Sequence, residues 1–491
     1  MADQPNPPVL NAEFAWLRPG HEASSQAVGI TFADGTISKV ETDQAISGGK
    51  GLFAMPALVN AHDHARGLHH LAFGARDEPF ETWRGALYAQ PRIDPYLNAL
   101  YAFSRMALAG IGTTLCVYSS IKTDRLIEDA VAIARAARDV GIRVGFVVPL
   151  RNQCTMALGD DQLTLSMHDR GDQDTIRSTW LNDWPAVEDY VSLVGEVAAH
   201  IENDMIAVQY GPNSPHACDP ALTRAIGERS AKDGRRIHTH FLESEPQHQW
   251  AKAHYPNGLV RHLKEVGWLS ERLTTAHGIW LDETDLALMA EAGTTVAINT
   301  SSNLRVFSGL SPVDRYLAHG VGFAFGMDSF SLDDDDDMFR ELKLSYWLHS
   351  PAHRHPRLTL DRFYDEALNT GFRIVMNRDG YGRIEPGSPA DLVVLDYAKM
   401  GRDVIEGMID PSDVVLTRAC NRYVRDLFVA GKQVVAEGRL VNVDFEAVED
   451  EIFAASKAQG ERMRALQPVL RRHQQTLARF YQAGNHRRRT V

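Results

Sequence analysis

Short apolar runs alternate with helix-like segments through the middle of the chain. Seven runs are candidates for buried strands: residues 113–118, 143–148, 205–210, 236–240, 273–277, 294–299 and 321–326. Between them, segments such as 126–137 and 284–292 repeat apolar residues at three- and four-residue intervals, which indicates amphipathic helices. With a further apolar run at 51–59, the pattern predicts eight strands. We therefore predict an α/β fold, a (β/α)8 TIM barrel.

The two chain ends show a different pattern. Residues 9–51 and 387–435 contain short apolar stretches separated by turn sequences. Because neither set is large enough for a domain, we expect both ends to build one small β-sandwich domain into which the barrel is inserted. The predicted divisions are 1–54 and 381–442 for the sandwich, 55–380 for the barrel and 443–491 for a C-terminal helical extension.

The extension carries apolar residues at helical intervals between residues 444 and 481. They are Phe445, Val448, Ile452, Phe453, Met463, Leu466, Leu470 and Leu477. Pro468 is expected to kink or divide the helix. We interpret the stripe as a packing surface, against the barrel or another subunit, and expect a homodimer or higher homo-oligomer.

Composition and charge exclude several classes of function. A net charge of −13 argues against nucleic-acid binding, and the basic cluster at 486–489 is interpreted as a solvated tail. Four scattered cysteines without a Cys-x-x-Cys motif predict neither a disulfide framework nor a thiolate zinc site. The first residues lack the features of a signal peptide, and no apolar run reaches membrane-spanning length. We expect a cytoplasmic protein with no membrane partner.

Histidines follow the first predicted strand at a spacing suited to a metal ion. Alternate residues of a strand face the same side, so His62 and His64 can share one ion while Asp63 points away. A second pair, His238-Thr239-His240, also ends an apolar strand. The third His-x-His pair, at 353–355, lies in a polar, proline-bounded stretch and is interpreted as surface.

Further polar residues stand at the ends of other predicted strands. His240, His277 and Asp328 each end a strand, and the carboxyl ends of barrel strands converge. With the first histidine pair they make a plausible nitrogen and oxygen shell for a divalent ion, with a position left for water. Spacing leaves open whether His277 is a ligand. Glu243 lies just past the strand that carries His240, where a carboxylate can exchange protons with a metal-bound water.

Six motifs, in this order, resemble the amidohydrolase superfamily. The branch is the cytosine deaminase-like and chlorohydrolase-like one, which includes S-adenosylhomocysteine, guanine and triazine aminohydrolases. The motifs are Pro-Ala-Leu-Val-Asn-Ala-His-Asp-His at 56–64, His-Phe-Leu-Glu at 240–243, Ala-His-Gly-Ile-Trp-Leu at 276–281, Ser-Ser-Asn-Leu-Arg at 301–305 with Gly-Leu-Ser-Pro-Val at 309–313, Gly-Met-Asp-Ser at 326–329, and Glu-Pro-Gly-Ser-Pro-Ala-Asp-Leu-Val-Val-Leu-Asp at 385–396.

The resemblance implies roles for the strand-end residues. His62, His64, His240 and Asp328 are expected to bind one divalent metal ion, zinc first, with iron or manganese as the other candidates. Glu243 is expected to shuttle protons. The resemblance makes His277 a residue that orients or activates the hydrolytic water, and it makes Asp328 a base towards that water.

The predicted activity is that of a metal-dependent aminohydrolase. Metal-bound hydroxide attacks a heteroaromatic small molecule of purine, pyrimidine, pterin or triazine type, and ammonia or an amine leaves. Substrate contacts are predicted from Arg66, His69, Trp83, Asn213 and His216. Ile298 stands where many relatives have a histidine, so an alternative with the same site is an amide, urea or carbamate hydrolase. A non-catalytic barrel with a binding role is the alternative of a different class.

The acidic run at 333–337 permits two interpretations. Five consecutive aspartates resemble a calcium site, but acids before a helix also stabilise its N-terminus. We favour the start of a helix.

Overall fold

A computed structural model describes residues 9–43, 47–119, 124–350 and 358–488. Its strands are β1 (Val9–Ala15), β2 (Ser25–Ala33), β3 (Thr36–Glu41), β4 (Leu52–Pro56), β5 (Leu58–Asn60), β6 (Ile111–Val117), β7 (Arg143–Leu150), β8 (Ile206–Pro212), β9 (Ile237–Phe241), β10 (Leu273–His277), β11 (Thr295–Ile298), β12 (Gly322–Phe325), β13 (Leu392–Asp396), β14 (Val424–Val429), β15 (Lys432–Ala436) and β16 (Arg439–Leu440). The histidine pair at 353–355 lies outside these residues.

The α-helices of the same residues are α1 (Phe80–Ala86), α2 (Pro95–Leu108), α3 (Leu126–Val140), α4 (Asp161–Ser166), α5 (Arg170–Trp180), α6 (Val187–Ile201), α7 (Pro220–Asp233), α8 (Glu245–His254), α9 (Leu259–Glu265), α10 (Glu283–Ala292), α11 (Thr300–Arg305), α12 (Val313–His319), α13 (Met338–His349), α14 (Leu360–Tyr364), α15 (Gly371–Met376), α16 (Tyr397–Met400), α17 (Pro411–Arg418), α18 (Phe445–Lys457) and α19 (Gly460–Gln482). A π-helical segment, Asp365–Thr370, joins α14 to α15. None of these helices is both long and apolar enough to cross a membrane.

Strands β5 to β12 form one parallel sheet in chain order. The ends of the sheet meet, because Ala61 N donates to Phe325 O and Asp328 N donates to His62 O, both at 2.9 Å. Strand β6 is buried along its whole length, as expected of a strand covered on both faces. The predicted (β/α)8 barrel is confirmed.

The helices between the strands begin and end at residues suited to those positions. Asp219 caps the N-terminus of α7, and Asp282 forms a reciprocal capping box with Asp285 at the start of α10. Gly234 and Gly293 end the same helices in the left-handed conformation, which a residue without a Cβ adopts at no steric cost. Local sequence therefore fixes where each helix turns back into a strand.

The apolar run at 51–59 is not the single strand predicted from it. It divides into β4, which pairs with β1 and β13, and β5, the first barrel strand. The division falls at consecutive amides: Ala57 N donates to Asp391 O, whereas Leu58 N donates to Gly110 O. Both halves are buried, so apolar character continues unbroken and cannot reveal the change of partner.

The two chain ends meet in a second sheet of eight strands, ordered β16-β15-β14-β13-β4-β1-β2-β3. This confirms that both ends build one β unit. A buried ion pair links this sheet to the barrel: the Arg143 guanidinium donates to both carboxylate oxygens of Asp391, at 2.7 and 3.1 Å. Asp391, which belongs to the motif at 385–396, therefore has a structural role: it links the terminal sheet to the barrel.

The C-terminal extension packs on the chain's own helices. Tyr101 of α2 stacks on Phe445 and donates to Glu449, while His473 and Leu477 of α19 lie against Gly85 of α1. This confirms the packing stripe.

Two expectations about the extension are corrected. The helices divide at residues 458–459, and α19 runs on through Pro468. Within the predicted solvated tail, Arg487 and Arg488 are exposed as predicted, but His486 is buried, with Nε2 2.8 Å from Gln249 Oε1.

The acidic run at 333–337 starts a helix, as favoured. The Asp337 side chain accepts a hydrogen bond at the N-terminus of α13. The other carboxylates pair with Arg105, Arg305 and Arg340. Arginines of the same chain therefore neutralise these carboxylates.

Candidate active site

Five side chains converge at the carboxyl end of the barrel. One nitrogen or oxygen atom from each of His62, His240, His277 and Asp328 lies within 4.8 Å of the others. His64 joins them, with Nε2 3.1 Å from Asp328 Oδ1 and 3.4 Å from His240 Nε2. The structure thus brings together every strand-end residue that the sequence assigned to a metal site.

The first two histidines lie just beyond β5, so strand periodicity does not orient them as predicted. Asp63, between them, points the other way: its carboxylate accepts hydrogen bonds from Asn60 Nδ2 and Ser329 N, both at 2.9 Å. This buried carboxylate ties the end of the first strand to the end of the eighth. The tie leaves His62 and His64 facing the centre of the barrel.

Backbone carbonyls fix the tautomers of two of the rings. His64 Nδ1 lies 2.8 Å from Val117 O, and His240 Nδ1 lies 2.7 Å from Asn213 O. A carbonyl only accepts, so each Nδ1 carries the hydrogen and each Nε2 presents a lone pair. Both Nε2 atoms face the cluster.

Side chains from α11 hold two more members. His277 Nδ1 lies 2.8 Å from Asn303 Oδ1, and Ser302 Oγ donates to Asp328 Oδ2 at 2.6 Å. The His277 ring therefore turns Nε2 towards the cluster, and Asp328 keeps Oδ1 free for it. Partners of this kind orient metal ligands in known sites.

A fifth histidine supports the cluster from behind. His238 Nε2 lies 2.7 Å from His62 Nδ1, and the two rings stack with centroids 5.0 Å apart. Both residues are fully buried. If His62 binds an ion through Nε2, its Nδ1 must donate, and His238 is the acceptor.

The arrangement fits a cation. His62 Nε2, His277 Nε2 and Glu243 Oε2 are buried, and no group among the described residues hydrogen-bonds to them. The Nε2 lone pairs of neutral rings converge on one another and on the Asp328 carboxylate, which is repulsive unless a positive ion lies between them. A set of imidazole nitrogens and one carboxylate suits zinc, iron or manganese.

Burial controls protonation in the cluster. It lowers the pKa of His240 well below the usual value, with a further contribution from the neighbouring His62 and His64, and it lowers the pKa of His277 to about 4. The neutral ring is the form that binds metal. Burial alone would raise the pKa of Asp328, but the rings of His62 and His64, with Nε2 atoms 3.2 and 3.1 Å from Oδ1, hold it well below the usual value. The carboxylate is therefore ionised.

Glu243 lies beside the cluster without hydrogen-bonding to it. Its Oε2 is 3.8 Å from His277 Nε2, and its backbone N–H donates to Gln247 Oε1 at 2.9 Å. Burial, followed by the charges of Asp328 and Glu81, raises the pKa of Glu243 well above its usual value. The carboxyl group can therefore carry a proton near neutral pH.

Strained backbone marks the same ends of the strands. Leu242, His277 and Asp328 adopt positive φ values of 43°, 73° and 59°, which cost free energy for residues with a Cβ and cluster at functional sites. Gly326 lets the last strand approach the first, because a Cβ there would lie 2.6 Å from His62 N. These backbone features bring the ends of the strands together.

The predicted substrate-binding residues fall into two groups. Trp83 stacks on Phe330, and its indole N–H has no hydrogen-bond partner in the described part of the chain. His216 Nδ1 lies 2.7 Å from Ser214 Oγ, while its buried Nε2 is likewise unpartnered. These two side chains offer free polar atoms.

The other three are engaged elsewhere. Arg66 contacts His70, Asn213 Oδ1 accepts from Arg151 at 2.8 Å, and the charged neighbours of His69 are Arg105 and Arg305. Arg66 still lies close enough to influence the pKa of His64, and the backbone carbonyl of Asn213 lies 2.7 Å from His240 Nδ1. A role of His69 in substrate binding stays a prediction.

Sequence reasoning missed the supporting shell. His238, Ser302 and Asn303 had no assigned role, although each lies in a motif or histidine pair already noted. Their residue types are common and their spacing carries no signal, because each acts on a residue from another strand. Only the three-dimensional structure shows which residue each of them contacts.

The chain matches a known protein family and several deaminases. The amidohydrolase family model matches residues 53–434. The chain is 28% identical over 429 residues to a 5'-deoxyadenosine deaminase from Methanopyrus kandleri, covering 84% of this chain and 91% of that protein. It is 25% identical over 429 residues to a 5-methylthioadenosine/S-adenosylhomocysteine deaminase from Pyrococcus abyssi, covering 85% and 90%.

Solved structures share the fold. An adenosine deaminase from Xanthomonas campestris with bound zinc superposes with a TM-score of 0.75 at 21% identity, covering 94% of this chain and 100% of that one. An atrazine chlorohydrolase from Arthrobacter aurescens complexed with zinc gives 0.74 at 21% identity, covering 91% and 99%. The barrel, the converging strand ends and the family match agree, and the chain belongs to the amidohydrolase family.

Proposed function

We propose that this protein is a metal-dependent deaminase that releases ammonia from an amino-substituted purine, with a purine nucleoside as the first candidate. The observation that carries the proposal is the buried cluster of histidines and one aspartate with Glu243 beside it. The deaminases among the relatives, which are named for adenosine derivatives, support the choice of ring. Of the predicted purine, pyrimidine, pterin and triazine substrates, purines are therefore the first class to test.

We propose His62, His64, His240 and Asp328 as the residues that hold the ion, and zinc as the ion. Two zinc-containing structural neighbours and the nitrogen-rich donor set support zinc over iron and manganese. Bound there, a divalent ion supplies Lewis-acid activation of water. His277 is left to orient the nucleophile.

Proton transfer is the task we assign to Glu243 and Asp328. Asp328 is ionised and keeps Oδ1 directed into the cluster, so it can accept a proton from the nucleophile. Glu243 has a raised pKa and carries a proton that it can give to the departing nitrogen. Two carboxyl groups with pKa values pushed apart are a common arrangement for a base and an acid in one site.

The free polar atoms of Trp83 and His216 are proposed to bind the substrate. The indole N–H is a donor, and His216 Nε2 is an acceptor or donor according to its tautomer. Burial lowers the pKa of His216 well below its usual value, so the ring is neutral. A heteroaromatic base that carries both ring nitrogens and an exocyclic amine can satisfy both.

The test is ammonia release by metal-loaded and chelator-treated protein. The panel comprises adenosine, 5'-deoxyadenosine, 5-methylthioadenosine and S-adenosylhomocysteine, with aminated pyrimidines, pterins and triazines beside them. Ammonia that depends on metal and favours the purines is expected. If fully metal-loaded protein released none, amide, urea or carbamate cleavage would replace deamination as the assignment.

We also propose that the protein is a cytoplasmic homo-oligomer. Cys116, Cys154, Cys218 and Cys420 are free, which is typical of proteins in a reducing compartment. Sedimentation of the purified protein decides the oligomeric state.

A further inference from the structure

A cavity lies at the opposite end of the barrel from the metal cluster. Its volume is about 890 Å³, and its walls include residues at the amino ends of β9 to β12 and the segment from α14 to residue 388. Arg236 immediately precedes β9, whereas His240 stands near the carboxyl end of the same strand. Nothing in the deaminase mechanism uses this cavity.

Arg236 is a buried cation without a counter-ion. Only 3% of the residue is exposed, and none of the ion pairs among the described residues includes it. Its guanidinium donates to two threonine hydroxyls, Thr274 Oγ1 at 2.9 Å and Thr295 Oγ1 at 3.5 Å, and its Nε has no partner. An unpaired buried charge is costly, so the cation calls for an anion that the described residues do not supply.

Two more arginines face the same space. Arg272 donates to the hydroxyl of Ser230 at 3.3 Å, and the nearest carboxylate to Arg373 is that of the exposed Asp379, at 3.7 Å. Burial, followed by the charge of Arg373, lowers the pKa of Arg236 to about 10. Five arginines line the cavity, and for three of them, Arg236, Arg272 and Arg373, no carboxylate of the described residues lies closer than 3.7 Å.

The acidic residues of the cavity are engaged elsewhere or lie at its surface. Glu366 pairs with Arg362 and accepts from a backbone N–H, and Asp365 pairs with His21. Glu271 is exposed. None of these carboxylates takes the place of a counter-ion bound to Arg236.

Helix ends offer a partial explanation of the arginines. Gly234, Gly293 and Gly320 line the cavity and end α7, α10 and α12, and a helix C-terminus carries roughly half a negative charge. A dipole of this kind attracts cations, but it gives the Arg236 Nε no hydrogen-bond acceptor. A ligand oxygen supplies both the charge and the acceptor.

We propose that this cavity binds the phosphate group of a small molecule, with Arg236 as its principal contact and Arg272 and Arg373 beside it. A tetrahedral oxyanion accepts hydrogen bonds from two N–H groups of one guanidinium. It also supplies the negative charge that these three arginines do not receive from neighbouring carboxylates. The volume lies in the range of small-ligand sites and exceeds what phosphate alone fills. The ligand is therefore a phosphate monoester, and free phosphate is its minimal form.

Calorimetric titration of the metal-loaded protein tests the proposal. Inorganic phosphate and ribose 5-phosphate are the probes, against chloride at equal ionic strength. Both are expected to bind, and the tighter of the two identifies the source of the phosphate group. Arg236→Gln is expected to weaken binding by about tenfold or more, because it removes a charge-assisted bidentate contact.

Matched variants separate the site from general charge effects. Arg138→Gln removes an exposed arginine of α3 and is expected to leave binding unchanged. If Arg236→Gln does not fold, Arg373→Gln, at a more exposed position, is expected to weaken binding in the same way. The proposal is overturned if neither probe binds at about 10 mM. It is also overturned if Arg236→Gln, or Arg373→Gln in its place, binds the probes as tightly as the wild type.

Discussion

Removal of the His238 side chain is expected to weaken metal binding without touching a ligand. Its Nε2 lies 2.7 Å from His62 Nδ1, which donates to it when His62 binds an ion through Nε2, and both residues are fully buried. In His238→Ala the Nδ1–H of His62 loses its acceptor. Because water has little access to this position, the ring then favours other orientations and the tautomer that carries its hydrogen on Nε2, which cannot bind an ion.

The magnitude follows from the contact. Loss of one partner of a buried hydrogen bond costs about 1–3 kcal/mol. Removal of the group that orients a metal-bound histidine lowers metal affinity by about 10- to 100-fold, which corresponds to about 1.4–2.7 kcal/mol. The two ranges agree, so we expect the zinc dissociation constant to rise by about 10- to 100-fold in this variant.

Competition with a chromogenic chelator measures the dissociation constant, and circular dichroism checks that the metal-free variant is folded. His168→Ala is the matched control, since His168 Nε2 makes the same kind of contact, at 2.8 Å from His473 Nδ1, away from the cluster. The control is expected to keep the wild-type affinity. A folded His238→Ala protein with zinc affinity within about twofold of wild type would refute the supporting role.

Three further changes test the chemistry and the architecture. Glu243→Gln is expected to lower kcat by about 10²- to 10⁴-fold while metal content, measured by atomic emission, stays unchanged; near-normal turnover would contradict proton transfer by this residue. Asp391→Ala breaks the buried pair that links the terminal sheet to the barrel and is expected to cost about 3–5 kcal/mol in urea unfolding, against less than about 1 kcal/mol for Asp403→Ala in an exposed pair. Gly227→Ala is expected to lower Tm because its Cβ would overlap a backbone carbonyl, whereas Gly195→Ala on α6, with open space around it, should leave Tm unchanged or raise it.

The barrel could be predicted because its strands and helices have different local patterns. A strand such as β6, buried on both faces, is a continuous apolar run, and a helix such as α10 begins at a capping box and ends at a glycine. Each signal arises within a dozen residues. The positions of His240 and His277 at strand ends followed from the same patterns.

What the sequence did not reveal depends on partners distant in the chain. The run at 51–59 changes sheets between Ala57 and Leu58, yet both halves are equally apolar.

The sequence by itself determined the fold class, the family and the set of side chains that meet at the carboxyl end of the barrel, because strand order and direction bring strand ends together whatever the details of packing. Tertiary structure alone decided which atom of each ring faces the cluster. That choice rests on single contacts, such as His238 with His62 and Asn303 with His277, between residues of different strands and helices. It also revealed the cavity around Arg236, since a missing counter-ion is a property of three-dimensional surroundings that no local pattern records.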